Sequence, residues 1–281
     1  MTRRLDRYRL AHSLEPQHPL STYSHPAFEA VDVTTLERRV VKFLFLDFPL
    51  RPQSVERYLA TMRDVQALRA PSLVPVVDAG VADGEPWYAM AFVAGETLEA
   101  SLQRGRRFST AETAAVIADS AAAVTAAHGG GLGGMGLQPR HVLLARDGAR
   151  VWDVGVDGWL AWARTLVAGQ YTAAGQIQWV PDLTPDEMAG RPLGGRSEAG
   201  GLALIAFRML AGRYYWHAVN ESARLARHAD LNQLLMEVMG AIEPPQARAD
   251  IALPRGFDDW FVGCLRGDVA DAASAARWFP R

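Results

Sequence analysis

Three side chains in this 281-residue sequence have the type and setting to do chemistry. Lys42 lies inside an apolar run, residues 40–46. An ammonium there must reach water or an anion, because burying an unpaired charge is costly. A strand lysine that snorkels to solvent satisfies this, and so does a lysine facing an anion in a cleft. Asp153 follows Val151-Trp152 and precedes Gly155. A carboxylate at a hairpin end beside a glycine suits Mg²⁺, which uses few protein oxygens and keeps several waters. It equally suits a turn aspartate bonded to its own backbone. His141 has the type to accept a proton or ligate a metal, although a local backbone hydrogen bond is the commoner use of a lone histidine. Between these groups, residues 129–144 contain no Asp or Glu at all, so that glycine-rich stretch supplies no carboxylate base.

The elements that must position these groups are legible from period and punctuation. Residues 28–33 and 40–46, separated by polar 34–39, predict an antiparallel hairpin. Ser54 as N-cap, with Val55, Leu59, Met62 and Val65 at helical spacing, predicts a helix lying on that sheet. Residues 73–77 and 87–93 predict a second strand pair around Asp83-Gly84. Five strands and one helix make a small lobe. After Gly95 the pattern turns helical. Ser109 with Glu112 is a capping-box signal, followed by Ile117, Ala121, Val124 and His128 and stopped by three glycines. Residues 142–144 and 151–152 flank Asp147-Gly148 and predict a short hairpin that presents Asp153 at its end. Residues 202–210, apolar on almost every side, predict a helix buried all round. Helices are expected again at 230–241 and 257–265. Residues 1–93 thus read as a β-rich lobe and 94–281 as a mainly helical one, an α+β arrangement within one domain.

At 49% hydrophobic and 21% charged residues with a net charge of -2, the chain falls in the globular range, and nothing suggests nucleic acid. Arg3, Arg4, Arg7 and Arg9 read as a solvated N-terminal arm. Cys264, the single cysteine, sits among Trp260, Phe261, Val262 and Leu265 and reads as core, with neither a disulfide framework nor a Cys-rich zinc site. The N-terminus lacks an apolar signal core, and the longest apolar run, 114–127, is broken by Asp119 and Ser120. A cytoplasmic setting without membrane insertion is expected.

Several local motifs fall in a fixed order. Tyr8-Arg9-Leu10 and Phe28-Glu29-Ala30-Val31-Asp32 suit two first strands, and Val40-Val41-Lys42 is similar to V-A-I-K. Pro71-Ser72-Leu73-Val74-Pro75-Val76-Val77-Asp78 then precedes Met90-Ala91-Phe92-Val93, Gly95 and Leu98, which are similar to an interlobe hinge. Leu137-Gln138-Pro139-Arg140-His141-Val142-Leu143-Leu144 is similar to the tail of a catalytic loop, and Asp153-Val154-Gly155 stands in the place of D-F-G. Pro185-Asp186-Glu187 resembles the end of an activation segment. Arg196-Ser197-Glu198 opens the buried helix, Leu210-Ala211-Gly212 ends it, and Phe257, Trp260, Phe261, Cys264, Leu265 and Asp268 resemble the last helices. From about Tyr8 to Trp278 the order resembles the bacterial serine/threonine protein kinases, which implies their bilobal fold.

That resemblance implies roles, and several are unfilled. Phosphoryl transfer uses a glycine loop, a lysine held by a helix glutamate, metal ions and an aspartate on the attacking hydroxyl. Residues 14–27 contain no glycine but hold Pro16, Pro19 and Pro26, which remove amide donors. The helix glutamate falls on Thr61, and Glu56 or Asp64 would replace it only in a rotated helix. The H-R-D positions fall on Gly134, Met135 and Gly136, and the lysine and asparagine positions on Gln138 and His141. Lys42, Met90, Phe92 and Asp153 remain as nucleotide-binding candidates, Asp153 also as metal ligand, with no catalytic residue left. Glu198, capping amides at the start of the central helix, and Asp186 are expected to be structural. The expectation is a pseudokinase that binds another protein, with ATP and Mg²⁺ binding weak or absent and no oligomeric state implied. The alternative is an unconventional ATP-dependent transferase using Lys42 and Asp153. Finally, Val156, Trp159, Leu160, Ala163 and Val167, with Trp162 alongside, predict a short amphipathic helix that either packs into the cleft or docks a partner.

Overall fold

The structure, a computed structural model, describes residues 5–14, 26–46, 48–165, 182, 184–225 and 231–280, with the backbone alone at 161, 164, 165, 222–225 and 231. Its first lobe holds strands β1 (Tyr8–Ser13), β2 (Ala27–Asp32) and β3 (Arg38–Phe43), helix α1 (Pro52–Ala67), and strands β4 (Val76–Ala82) and β5 (Glu85–Ala91). The strands form one antiparallel sheet in the order β1-β2-β3-β5-β4. Asp83 and Gly84 both take positive φ, at 53° and 80°, the backbone that a tight hairpin demands between β4 and β5. Side chains alternate across the sheet. Val41, Phe43 and Ala89 face one way and join Tyr8 and Ala30 in a small outer core. The opposite face carries Lys42 and Tyr88, which are cross-strand partners, with Val40 beside Met90.

Two expectations shift here. Helix α1 begins with Pro52 after Arg51 rather than at Ser54, as suits a residue whose missing N–H costs nothing in a first turn. Its buried seam is Ser54, Tyr58, Met62 and Val65, not Val55 and Leu59, because Tyr58 buries its ring and donates its hydroxyl to the Trp87 carbonyl at 2.7 Å. Strand β4 starts at Val76; Leu73 instead bridges in parallel to Val151. Through Val74 N–H to Val151 O, 2.9 Å, and Val151 N–H to Ser72 O, 2.8 Å, this bridge ties the two lobes. Of the expected solvated arm, Arg3 and Arg4 lie outside the described residues and Arg9 is exposed, while the 45%-exposed Arg7 side chain donates Nε–H to the buried Asp32 at 3.0 Å. The guanidinium holds the Asp32 carboxyl down at about 2.

The second lobe runs through β6 (Gly95–Thr97), α2 (Leu98–Gln103), α3 (Thr110–Gly129), β7 (Val142–Ala145), β8 (Gly148–Val151) and α4 (Val156–Thr165). It continues with α5 (Pro185–Met188), α6 (Gly195–Ala211), α7 (His217–Leu225), α8 (Leu231–Val238), α9 (Phe257–Arg266) and α10 (Ala272–Arg277). Strands β6, β7 and β8 form a second small antiparallel sheet. The capping box at α3 forms as expected: Glu112 N–H meets Ser109 Oγ at 3.2 Å, and Ser109 N–H meets the Glu112 carboxylate at 2.8 Å. Helix α6 is buried on every side. Its Phe207 ring lies 5.5 Å from Tyr215 and 5.9 Å from Phe261, and full burial of such a ring contributes about 1.5–3 kcal/mol. Cys264 is buried beside it, and that burial pushes its thiol up to about 12, so it is inert core. Among the described residues no helix is long and apolar enough to cross a membrane.

Candidate functional site

Lys42 does not snorkel. Its side chain is 5% exposed, and the ammonium pairs directly with Asp153 Oδ2, whose side chain is as deeply buried. The other carboxylate oxygen, Oδ1, accepts the hydroxyl of Tyr88. Trp152 lays its ring 4.3 Å from the ammonium, a cation–π contact that gains strength in a desolvated place. Asp153 takes φ 63°, an uncommon and strained conformation for a residue with a Cβ. Its backbone is pinned on both sides: Trp152 N–H donates to His141 O at 3.0 Å, and Val156 N–H donates to Asp153 O. The hairpin β7–β8 thus delivers the carboxylate to Lys42 and Tyr88, and the local turn role is not taken.

His141 is also buried. Its Nδ1 donates to Gly136 O at 2.8 Å, the local backbone bond. That places the proton on Nδ1 and leaves Nε2 to accept from Arg140 Nε at 3.2 Å. Nε2 also lies 3.7 Å from Asp153 Oδ2.

Helix α4 lies against the end of the glycine-rich loop before His141. A Cβ on Gly136 would lie 2.8 Å from Asp157 Oδ2, and a Cβ on Gly158 would lie 2.9 Å from Gly133 O. At Gly158 backbone meets backbone, an approach that only glycine allows, while at Gly136 the neighbour is the Asp157 carboxylate, and α4 thus seats on residues 133–136. On its other side Trp159, 2% exposed, donates Nε1–H to Ser54 O at 3.0 Å and packs its ring, tilted by 54°, 4.9 Å from that of Tyr58 of α1. Val156, Leu160 and Ala163 are buried with it, and Arg57 lies 4.2 Å over Trp162. The amphipathic helix therefore packs between α1 and the loop; Val167 lies outside the described residues. Thr61, in the position expected of a helix glutamate, rests against Gly155, on which a Cβ would come within 2.9 Å of the Thr61 methyl.

Asp157 escapes a reading confined to residues 129–144, since it reaches that loop from α4. Its carboxylate stands at Gly136 and 3.9 Å from His141 Nδ1. Burial, with help from the Asp153 charge, pushes its carboxyl up to about 6, against the pull of Arg140 and Lys42. The folded chain then holds this proton more tightly than the unfolded chain does. The ionised form costs stability above pH 6 and nothing below pH 4 or so. Asp157→Asn is expected to stabilise the protein by about 1–3 kcal/mol at pH 8. In urea unfolding the gain should shrink as pH falls through 6 and vanish near 4.

The other candidates sort differently. Met90 is buried in the main core. Phe92 is half-buried, and one face of its ring carries Arg38 at 3.6 Å, itself fixed to Glu29 at 2.7 Å. Glu198 does not cap its own helix, whose start is closed by Ser197 Oγ and the Gly194 amide. Its buried Oε1 instead accepts Met135 N–H and meets His128 Nε2, each at 3.1 Å, so it anchors the loop rather than the helix. Burial raises its carboxyl. Asp186 binds Arg191 Nε at 2.7 Å across the end of α5. Of the proline-bearing segment, Pro16 and Pro19 lie outside the described residues, and Pro26 O accepts from Phe43 N–H.

A magnesium ion demands near-octahedral oxygen ligands at about 2.0–2.1 Å. Both Asp153 oxygens are already engaged by Lys42 and Tyr88, and both His141 nitrogens are engaged as well. The residues present do not fit the ion in this arrangement.

No family model matches the chain. It is 26% identical over 219 residues to serine/threonine-protein kinase PknH of Mycobacterium tuberculosis, covering 78% of this chain and 33% of that protein. With serine/threonine-protein kinase Pkn1 of Myxococcus xanthus it shares 27% over 198 residues, covering 68% of this chain and 27% of the relative. The chain thus spans about a third or less of the length of these relatives. Among solved structures, the Mycobacterium tuberculosis PknI kinase domain superposes with a TM-score of 0.67 at 18% identity, over 97% of this chain and 94% of that one. A single-substitution mutant of that domain gives 0.68 at 19% identity, with the same coverage. The chain has the protein-kinase-like fold, an antiparallel sheet lobe joined to a mainly helical lobe, and is similar in sequence to bacterial serine/threonine protein kinases.

Proposed function

We propose that this chain is a pseudokinase: a kinase-fold module that binds another protein, in the cytoplasm, and transfers no phosphate. The observation that carries this reading is the closed set of Lys42, Asp153 and Tyr88, in which phosphate-handling groups satisfy one another. Two further features support it. Arg38 covers the Phe92 ring, and α4 rests on the loop where the base and its neighbours would act. A scaffold without transfer chemistry offers its surface, and the net charge of -2 favours protein over nucleic acid as the partner. With γ-labelled ATP and Mg²⁺ or Mn²⁺, the intact chain should label neither itself nor a generic protein acceptor above the level of an Asp153→Ala control. Labelling that Asp153→Ala abolishes would overturn the reading.

One observation favours a second reading, an unconventional ATP-dependent transferase. Asp157 restores a carboxylate at Gly136, and a carboxyl near 6 is suited to accept a proton at neutral pH. In that case labelling should be present in the wild type and lost in Asp157→Asn, which keeps the shape of the side chain.

A further inference from the structure

Tyr88 stands in none of the kinase motifs, yet it is the group whose position decides what Asp153 can bind. The register places it directly across from Lys42, on the same face of neighbouring strands. It is 1% exposed, with its ring in the main core. A phenol buried so deeply needs a hydrogen-bond partner, and it has one in Asp153 Oδ1. We propose that Tyr88 is the residue that withholds Asp153 Oδ1 from a divalent cation. This inference rests on the closed-cleft reading above.

Lys42 is not the obstacle. Its ammonium can exchange a carboxylate oxygen for a phosphate oxygen, one anion for another, without loss of a charged partner. The tyrosine hydroxyl has no such exchange: buried, it keeps Oδ1 as its acceptor, and that is the oxygen left for a metal when Lys42 holds Oδ2. The Asp153 carboxylate is meanwhile buried and held at both oxygens, by Lys42 at Oδ2 and by Tyr88 at Oδ1. Removing the hydroxyl and keeping the ring frees Oδ1 and leaves the packing in place. Tyr88 acts here through Asp153 and is a positioning residue.

The experiment is a calorimetric and thermal-shift titration of the intact chain with ATP and Mn²⁺, with Mn²⁺ alone, and with ATP plus chelator. Wild type should be silent in all three. Tyr88→Phe should bind Mn²⁺-ATP at least about tenfold more tightly than the wild-type limit, the scale of a lost hydrogen bond to a charged group. Its melting temperature should rise by a few degrees near saturation. Both signals should disappear with chelator and in Tyr88→Phe/Asp153→Asn, which a merely structural role for the phenol does not predict. If Tyr88→Phe melts non-cooperatively, Tyr88→Met removes the hydroxyl with another apolar side chain and is read in the same way. A folded Tyr88→Phe or Tyr88→Met that stays silent overturns this inference and leaves the closed cleft standing. A wild type that binds Mn²⁺-ATP overturns both.

Discussion

Trp159→Ala is expected to lower the unfolding free energy by about 3–5 kcal/mol in urea, the range for deleting a large buried aromatic side chain. Three losses combine. The 2%-exposed indole leaves a cavity, the ring contact with Tyr58 at 4.9 Å disappears, and the Ser54 carbonyl loses its donor. The same change should free α4 from α1, so limited proteolysis ought to cut within residues 156–165 of the variant and spare the wild type. Trp162→Ala provides the contrast. That ring is half-buried under Arg57, and its loss should cost much less than that of Trp159, about 1 kcal/mol for the exposed cation–π contact. Equal effects at the two tryptophans would mean that α4 does not pack as described.

The second large effect lies at the buried ion pair. Lys42→Met should cost about 3–5 kcal/mol, because it leaves the Asp153 carboxylate buried without its cation. Asp153→Leu should cost a similar amount for the mirror reason. The double variant Lys42→Met/Asp153→Leu should recover only part of the loss: an apolar pair replaces the buried ion pair at little net cost, but the buried Tyr88 hydroxyl loses its acceptor and position 153 keeps its positive φ. The coupling in the cycle is expected to reach at least about 2 kcal/mol. A lysine pointing into solvent would show none of this, and each single change would then stay within about 0.5 kcal/mol.

How much of this is legible in the sequence depends on the distance over which each signal acts. The Asp83-Gly84 turn and the Ser109/Glu112 capping box are local, three or fewer residues apart, and both form as expected. The all-apolar face of α6 likewise needs no partner to be recognised. The seam of α1 differs from the expected one because aliphatic spacing passes over Tyr58, whose hydroxyl has a buried acceptor. Lys42 and Asp153 each stand out in the sequence, but their union joins positions 111 apart. Tyr88 enters the site only through strand register, which a lone tyrosine in an apolar run does not advertise. Asp157 escapes notice for a related reason. The stretch 129–144 is free of carboxylates, yet a neighbouring helix brings one to Gly136. Glu198 lies in the expected region but takes a different partner, because capping is a local rule and its contact is with Met135, 63 residues away.

The most direct measurement of the central claim is a titration of the intact wild-type chain with ATP and Mg²⁺, followed by both heat and melting temperature. A ligand at about 100 times its Kd adds about 2.7 kcal/mol to stability, so even modest binding is visible. With Lys42, Asp153 and Tyr88 closed on one another, neither heat nor shift should appear up to millimolar nucleotide. Saturable, metal-dependent binding that is lost in Lys42→Met would contradict it.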